Sequence, residues 1–251
     1  MEVVYQSANT TLIHGDCLEV MPTLKDGSVD VIWTDPPYGH NNHEGDFNAA
    51  LNDLRGLEQQ PIANDGTEEM RTVVDGMLKQ ACRVLNPVNN CCCCCCGGGG
   101  GRDPMFAWVA QRLDREGMEF FQAVVWDKLN PGLGWKYRRQ YEFVMVSLLE
   151  KTKLRWPLKE RVMPNVIRMS KPRDPVHPNE KPVGLISKFL AVHTQPGDLV
   201  LDPFCGSGTT MLAAVESGRK SIGIDIDRHW LDEARKRIEH AERQPLFDIG
   251  M

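Results

Sequence analysis

Leu199-Val200-Leu201-Asp202-Pro203-Phe204-Cys205-Gly206-Ser207-Gly208-Thr209-Thr210 decides the fold. Three apolar residues make a short buried strand, two glycines spaced by one residue make a tight turn, and Thr209 opens an apolar helix to Ser217. A strand at Ser221–Ile226 and a helix from Asp227 to Glu242 follow. Strand, helix, strand, helix in that order is the repeating unit of a mainly parallel sheet covered on both faces. In such sheets a ligand lies beyond the carboxyl ends of the strands, at a helix N-terminus. Gly206 and Gly208 allow a ligand close to the backbone, and Asp202 brings a carboxylate beside it. Asp225, at the end of the next strand, is placed to accept hydrogen bonds from a ribose diol. The glycines alone also fit a bare strand-to-helix turn. The GxGxxG dinucleotide pattern is absent, and no Gly-Lys-Ser/Thr follows to make a phosphate loop.

Upstream, the same alternation continues. Thr11–His14 reads as a strand, Gly15-Asp16 as a turn, and Cys17–Leu24 as a helical stretch weakened by Pro22. The strand Val29–Trp33 ends abruptly at Thr34-Asp35-Pro36-Pro37-Tyr38-Gly39. Residues 40–69 are polar and aperiodic, which inside a compact domain marks a functional loop or a disordered segment. Thr67–Leu85 is helical, with Met70, Val73, Val74, Met77, Leu78, Ala81 and Leu85 on one stripe, and Asn86-Pro87 stops it. A helix over Pro104–Glu116, strands over Phe120–Trp126 and Tyr141–Leu149, an irregular basic stretch over 150–176 and a helix over Val183–Thr194 complete the chain. The expected fold is α/β, a doubly wound mainly parallel sheet in one domain, since 251 residues hold one such core.

Composition is that of a globular chain, 41% hydrophobic and 25% charged, with no apolar run long enough for a membrane span. The N-terminus lacks the basic start and apolar stretch of a signal peptide, so a cytoplasmic location is expected. The net charge of −5 argues against indiscriminate nucleic-acid coating. Yet residues 1–90 carry 14 acidic against 5 basic side chains, whereas residues 128–173 carry 12 basic against 3 acidic. That asymmetry fits either a local anionic partner or a solvated basic face.

Of nine cysteines, six are consecutive, Cys91 to Cys96, and Gly97 to Gly101 follow. The tract falls where a buried strand is due, and cysteine is small and apolar enough to form a loosely packed one. An unbroken run lacks the paired CxxC spacing of zinc ligands, and Cys17, Cys82 and Cys205 are isolated, so no metal and no disulfide framework are expected. A frameshifted stretch accounts for such a run better than a hexacysteine motif does.

Asp35-Pro36-Pro37-Tyr38 carries a second chemical signal. Two prolines fix the backbone and remove two N–H donors, leaving a carboxylate and carbonyls as acceptors beside an aromatic ring. This set suits a primary amine on a flat heterocycle. It also fits a rigid turn with a core tyrosine.

Asp35-Pro36-Pro37-Tyr38 resembles the catalytic tetrapeptide of the amino-methylating DNA methyltransferases, and Asp202-Pro203-Phe204-Cys205-Gly206-Ser207-Gly208 resembles their cofactor loop. His177-Pro178-Asn179-Glu180-Lys181-Pro182 is similar to the HPTEKP box, with Asn for Thr. His14-Gly15-Asp16-Cys17 is similar to the motif at the cofactor adenine, and Val125-Trp126-Asp127-Lys128, with Arg138, Arg139 and Glu142 behind it, to the later strands. The catalytic motif precedes the cofactor loop, the permuted order of the β group, over residues 10–230. The Cys/Gly tract departs from the family's Pro-Gly-Gly turn and apolar strand.

The resemblance implies a class I S-adenosylmethionine-dependent methyltransferase fold. It implies methylation of adenine N6 in double-stranded DNA, since Asp rather than Ser stands at position 35, with cytosine N4 as the alternative. An RNA or protein-amide methyltransferase carries Asn before Pro-Pro in an unpermuted order, and a degenerate copy disabled by residues 91–101 is a further alternative. It implies Asp35, Pro36, Pro37 and Tyr38 at the reacting amine, and Asp16, Cys17, Asp35, Lys181, Asp202, Phe204, Gly206, Gly208, Thr209 and Asp225 at the cofactor. Lys181 would reach the cofactor carboxylate, and loop 40–69 would close over a base flipped onto Tyr38. Lys136, Arg138, Arg139, Lys151, Lys153 and Arg155 are the expected DNA contacts, with 150–176 as a small recognition insertion. A homodimer and a cognate restriction enzyme are left open as partners.

Overall fold

The computed structural model describes residues 1–37, 67–88, 91–97, 105–115, 117–131, 136–154, 156, 162–177 and 179–244. Its strands are β1 (Glu2–Gln6), β2 (Thr10–His14), β3 (Val31–Thr34), β4 (Cys91–Gly97), β5 (Met118–Asp127), β6 (Tyr141–Leu149), β7 (Val166–Arg168), β8 (Leu199–Asp202) and β9 (Lys220–Asp225). Its helices are α1 (Cys17–Val20), α2 (Thr67–Val84), α3 (Met105–Arg112), α4 (Val183–His193), α5 (Thr209–Glu216) and α6 (Arg228–Arg243).

One sheet joins all nine described strands in the order β1-β2-β9-β8-β3-β4-β6-β5-β7. From β2 through β4 every neighbouring pair is parallel, while β6 is antiparallel to both β4 and β5. The chain leaves β3 toward β4 on one side and leaves β8 toward β9 on the other. The gap between β3 and β8 is therefore the switch point, where diverging connections open a crevice at the strands' carboxyl ends.

Both faces are covered, as the alternation of elements requires. The stripe Met70, Val73, Val74, Met77, Leu78, Ala81 packs with α1, α3 and one face of the sheet, and all six residues are buried. Leu185, Ile186, Phe189 and Leu190 of α4, with Ala213 and Ala214 of α5, cover the other face. Helix α6 is capped by Asp227, which accepts from the His229 N–H, and buries Leu231, Ala234 and Ile238 along one stripe.

Four local expectations need correction. Glu2–Gln6 is an antiparallel edge strand that sequence reading passed over; its exposed Val3 leaves little apolar alternation to detect. Cys17–Leu24 is one α turn followed by a 3-10 turn at Met21–Thr23, where Pro22 removes a helical donor. The stretch 150–176 is not wholly irregular, because Val166–Arg168 pairs parallel with β5. The loop 40–69 ends earlier than expected, since Thr67 already begins α2, and residues 40–66 lie outside the described residues.

The cysteine tract forms an interior strand of the sheet, β4, paired with β3 and β6. Alternation sends Cys92 and Cys94 to one core and Cys91, Cys93 and Cys95 to the other, all buried.

Candidate active site

Four carboxylates stand along the carboxyl edge of the parallel strands, each within two residues of a strand end: Asp35 after β3, Asp202 ending β8, Asp225 ending β9, and Asp16 two residues past β2. The His14–Asp225 register and the Gly15 N–H bond to the Asp225 carbonyl bring Asp16 and Asp225 side by side.

Each is held differently. Asp16 caps α1, its Oδ1 accepting from the Leu18 N–H at 2.8 Å. Asp225 accepts from the Gly206 N–H at 2.7 Å and from the Asp227 N–H at 2.9 Å, so it bends the glycine turn toward its own strand. Two donors leave a carboxylate with lone pairs to spare for further donors. Burial pushes the Asp225 pKa up, against the pull of those N–H groups. Asp202 is turned inward: Oδ1 accepts from the Phe204 N–H and Oδ2 from the Thr210 hydroxyl, and burial raises its pKa to about 7 despite both bonds. Both bonds hold the shape of the loop.

The two glycines separate in role. Gly206 has φ +48°, and a Cβ there would meet nothing within 4 Å, so this turn is open toward the edge. Gly208 has φ +80° and begins α5, but a Cβ would come within 2.8 Å of Ala234 Cβ on α6. Gly208 is demanded by helix packing, and Gly206 alone offers open backbone. Phe204 is half-buried at the edge of the core, and Thr209 is buried with its hydroxyl 3.5 Å from Glu180 Oε1. The Cys17 thiol is buried, with its pKa pushed up to about 12 by that burial and by Asp16, so only its backbone faces the edge.

Asp35 emerges from β3 beside this cofactor half, and its Oδ2 is 2.5 Å from Lys181 Nζ. Lys181 is buried and also lies 3.4 Å from Glu142 Oε2, an oxygen that makes no hydrogen bond; Glu142 Oε1 accepts from Lys128 Nζ at 3.1 Å. Burial opposes the charge on Lys181, but Asp35 and Glu142 outweigh it and raise its pKa above the ordinary lysine range. Burial likewise opposes Glu142, and Lys181 with Lys128 pull its pKa down. In this structure Lys181 grips Asp35. Tyr38 lies outside the described residues, so the site is described as far as Pro37.

Three residues given no cofactor or catalytic role in the sequence reading complete the site. Glu180 accepts from the Val176 N–H and from Arg237, and Arg237 also donates to the Ser207 carbonyl and hydroxyl. This ties the His177–Lys181 segment and the glycine turn to α6. Glu142, from β6, balances Lys181. Glu180 and Glu142 stood in or beside recognised motifs, but nothing in the chain pairs Arg237 with a loop thirty residues away.

The basic residues divide. Lys136, Arg138 and Arg139 lie on the β5–β6 connection, at the carboxyl edge with Asp35. Lys151 and Lys153 follow β6, which runs antiparallel and carries the chain to the opposite edge, where the Glu150 N–H bonds the Gly117 carbonyl. The expectation that all of them face one DNA surface is corrected by strand direction. β7 then returns to the active edge with Arg168, and Arg155 lies outside the described residues.

A sequence profile described as DNA methylase, of the N6/N4 type, matches residues 29–236. The chain is 26% identical to the Type II methyltransferase M2.DpnII of Streptococcus pneumoniae over 256 residues, covering 94% of this chain and 91% of that protein. The crystal structure of the M1.HpyAVI–SAM complex superposes with a TM-score of 0.64 at 26% identity, covering 91% of this chain and 99% of that one. The PvuII DNA methyltransferase, titled cytosine-N4-specific, superposes with a TM-score of 0.72 at 19% identity over 96% of this chain and 93% of its own, a likeness of fold. No described helix is long and apolar enough to cross a membrane. With the profile spanning most of the sheet and both halves of its carboxyl edge, the chain belongs to the N6/N4 family of DNA methylases.

Proposed function

We propose that this DNA methylase transfers a methyl group from S-adenosylmethionine to the N6 amine of adenine in duplex DNA. The observation that carries the reading is Asp35, a carboxylate at the switch point gripped by a buried lysine, in a backbone whose next two residues are prolines.

The cofactor half fits its ligand. Gly206 leaves open backbone at the turn, Asp225 and Asp16 keep acceptor capacity at adjacent strand ends, and the edge is acidic where a sulfonium and an ammonium arrive. When bound, S-adenosylmethionine supplies an electrophilic methyl group on a positively charged sulfur. The residues of this chain orient the acceptor. An exocyclic amine is a poor nucleophile because its lone pair is delocalised into the ring. Asp35 and the Pro36 carbonyl, accepting from its two hydrogens, favour a pyramidal nitrogen. Their benefit grows as positive charge develops there, which is stabilisation of the transition state over the ground state.

Lys181 fixes the Asp35 carboxylate through one oxygen, and a carboxylate with four lone-pair sites still accepts from the amine. Glu142 and Lys128 behind it keep that pair from being an isolated buried charge. A base inside a duplex is out of reach of this edge, so it is flipped out, and Tyr38 is the stacking surface in this reading. No cysteine is required as a nucleophile, and the cysteine tract does not disable the fold, since it supplies a buried strand.

The charge of Asp35 would help either base, so adenine is favoured over cytosine by the resemblance of Asp35-Pro36-Pro37-Tyr38 to the adenine-methylating motif. Digestion of methylated DNA to nucleosides, followed by mass spectrometry, tests the assignment. N6-methyladenine as main product is the expected result, and a dominance of N4-methylcytosine would overturn it.

A further inference from the structure

On the face of β4 that packs against α4, strand alternation and helix length bring three metal-ligating side chains together. Cys91 and Cys93 are two apart on β4 and point to the same face, and His193 is the last residue of α4, which packs on that face. The two thiol sulfurs are 3.5 Å apart, and a ring nitrogen of His193 and both sulfurs all lie within 4.8 Å of one another. All three residues are buried, and His193 Nδ1 has no hydrogen-bond partner, one of three such buried side-chain atoms among the described residues. A buried, unpaired imidazole nitrogen destabilises the fold unless something accepts from it or donates to it.

We propose that Cys91, Cys93 and His193 form a three-ligand zinc site that fastens β4 to α4, roughly 7–13 Å down the strand from the level of Asp35. Two sulfurs bound to one zinc at about 2.3 Å would lie within a few tenths of an ångström of their present separation, so the site needs little rearrangement. Charge selects the ion. Binding releases one proton from each thiol, and two thiolates with one neutral imidazole exactly offset a divalent cation, leaving no net charge in an apolar core. A monovalent ion on two thiolates would leave a buried negative charge. A disulfide is the poorer use of these thiols. Residues two apart on an extended strand have Cα atoms about 6.6 Å apart, at the limit of what the bridge spans. Zinc prefers four ligands, and three protein ligands leave the fourth position to water.

The test uses the full chain, reduced and stripped with a chelator. It is titrated with zinc against a chromophoric chelator and with cadmium, read by thiolate charge-transfer absorption. One tight equivalent per chain is expected. X-ray absorption of the zinc form should give two sulfurs at about 2.3 Å and one nitrogen at about 2.0–2.1 Å. The double variant Cys91→Ala, Cys93→Ala and the variant His193→Phe, which keeps the apolar packing, should each weaken zinc binding at least ~100-fold. The pair Cys92→Ala, Cys94→Ala, on the opposite face, should retain the site. The proposal is overturned by absence of stoichiometric binding, by a shell of three or four sulfurs, or by equal loss in both cysteine pairs. If a variant fails to fold, the absorption spectrum of the unaltered chain decides.

Discussion

On the β2-β9-β8 side of the active edge, Asp16, Asp225 and Asp202 accept hydrogen bonds from backbone N–H groups and a threonine; on the β3-β6 side, Asp35 and Glu142 face lysines. The residue types and their places at strand ends are alike, yet their titration diverges. Burial raises Asp225 and carries Asp202 to about 7, whereas Lys181 and Lys128 hold Glu142 below its ordinary value. At Asp202 and Asp225 the neutral donors do not offset burial, whereas at Glu142 the adjacent cations do. One half of the edge is therefore short of positive charge and suited to a cationic ligand. The other carries a charge already fixed in place before any substrate arrives, as electrostatic catalysis requires.

The largest effect expected from this contrast is on turnover. Asp35→Asn keeps the shape but removes the fixed charge, and should slow methyl transfer roughly 10²–10³-fold with little change in cofactor affinity. Asp225→Ala should do the reverse, weakening S-adenosylmethionine binding at least ~10-fold. Calorimetric titration beside single-turnover rates separates the two, and equal loss of cofactor affinity in both variants would erase the division of the edge.

A smaller effect is a pH dependence confined to the cofactor half. The Asp202 pKa is near 7 in the folded chain and 3.8 as the ordinary value, so the folded state holds this proton more tightly. Its stabilising contribution is complete below about pH 4 and fades as pH rises toward 7. The stability of the natural chain relative to Asp202→Asn should fall over that window by at most on the order of 4 kcal/mol. Chemical denaturation at a series of pH values measures it, and a flat difference would mean that the Thr210 and Phe204 bonds offset burial fully.

The smallest effect concerns DNA. Replacing Lys136, Arg138 and Arg139 with Gln should flatten the logarithmic salt dependence of DNA binding by roughly 0.9 per lost phosphate contact. Replacing Lys151 and Lys153 should leave the slope unchanged, because those residues stand at the opposite edge. A slope that responds to the second pair instead would place DNA on the wrong side of the sheet for Asp35.

Much of the fold could be read from the chain because strands and helices declare themselves by period. The α2 stripe from Met70 to Ala81 and the strand-turn-helix at 199–217 stand where their patterns put them. Short elements did not announce themselves. Three residues at Val166–Arg168 are too few for any period, and they form a strand only because β5 offers an unpaired edge. The cysteine tract was legible as a strand by position, but not as two separate faces with different neighbours.

Within the site, the local motifs determined which residues stand at the carboxyl edge. Asp35, Asp202, Asp225 and Asp16 each follow a strand in the sequence itself, and a strand's end fixes where its next side chain lies. Partnership was decided only by tertiary structure. Lys181 and Asp35 are 146 positions apart, and Arg237 reaches Ser207 from another helix. Lys151 and Lys153 stand at the edge opposite Asp35 because a strand reverses direction. Sequence neighbours share geometry through the covalent chain, whereas charge pairing, strand direction and the two roles of Gly206 and Gly208 arise from what the folded sheet and its helices bring alongside.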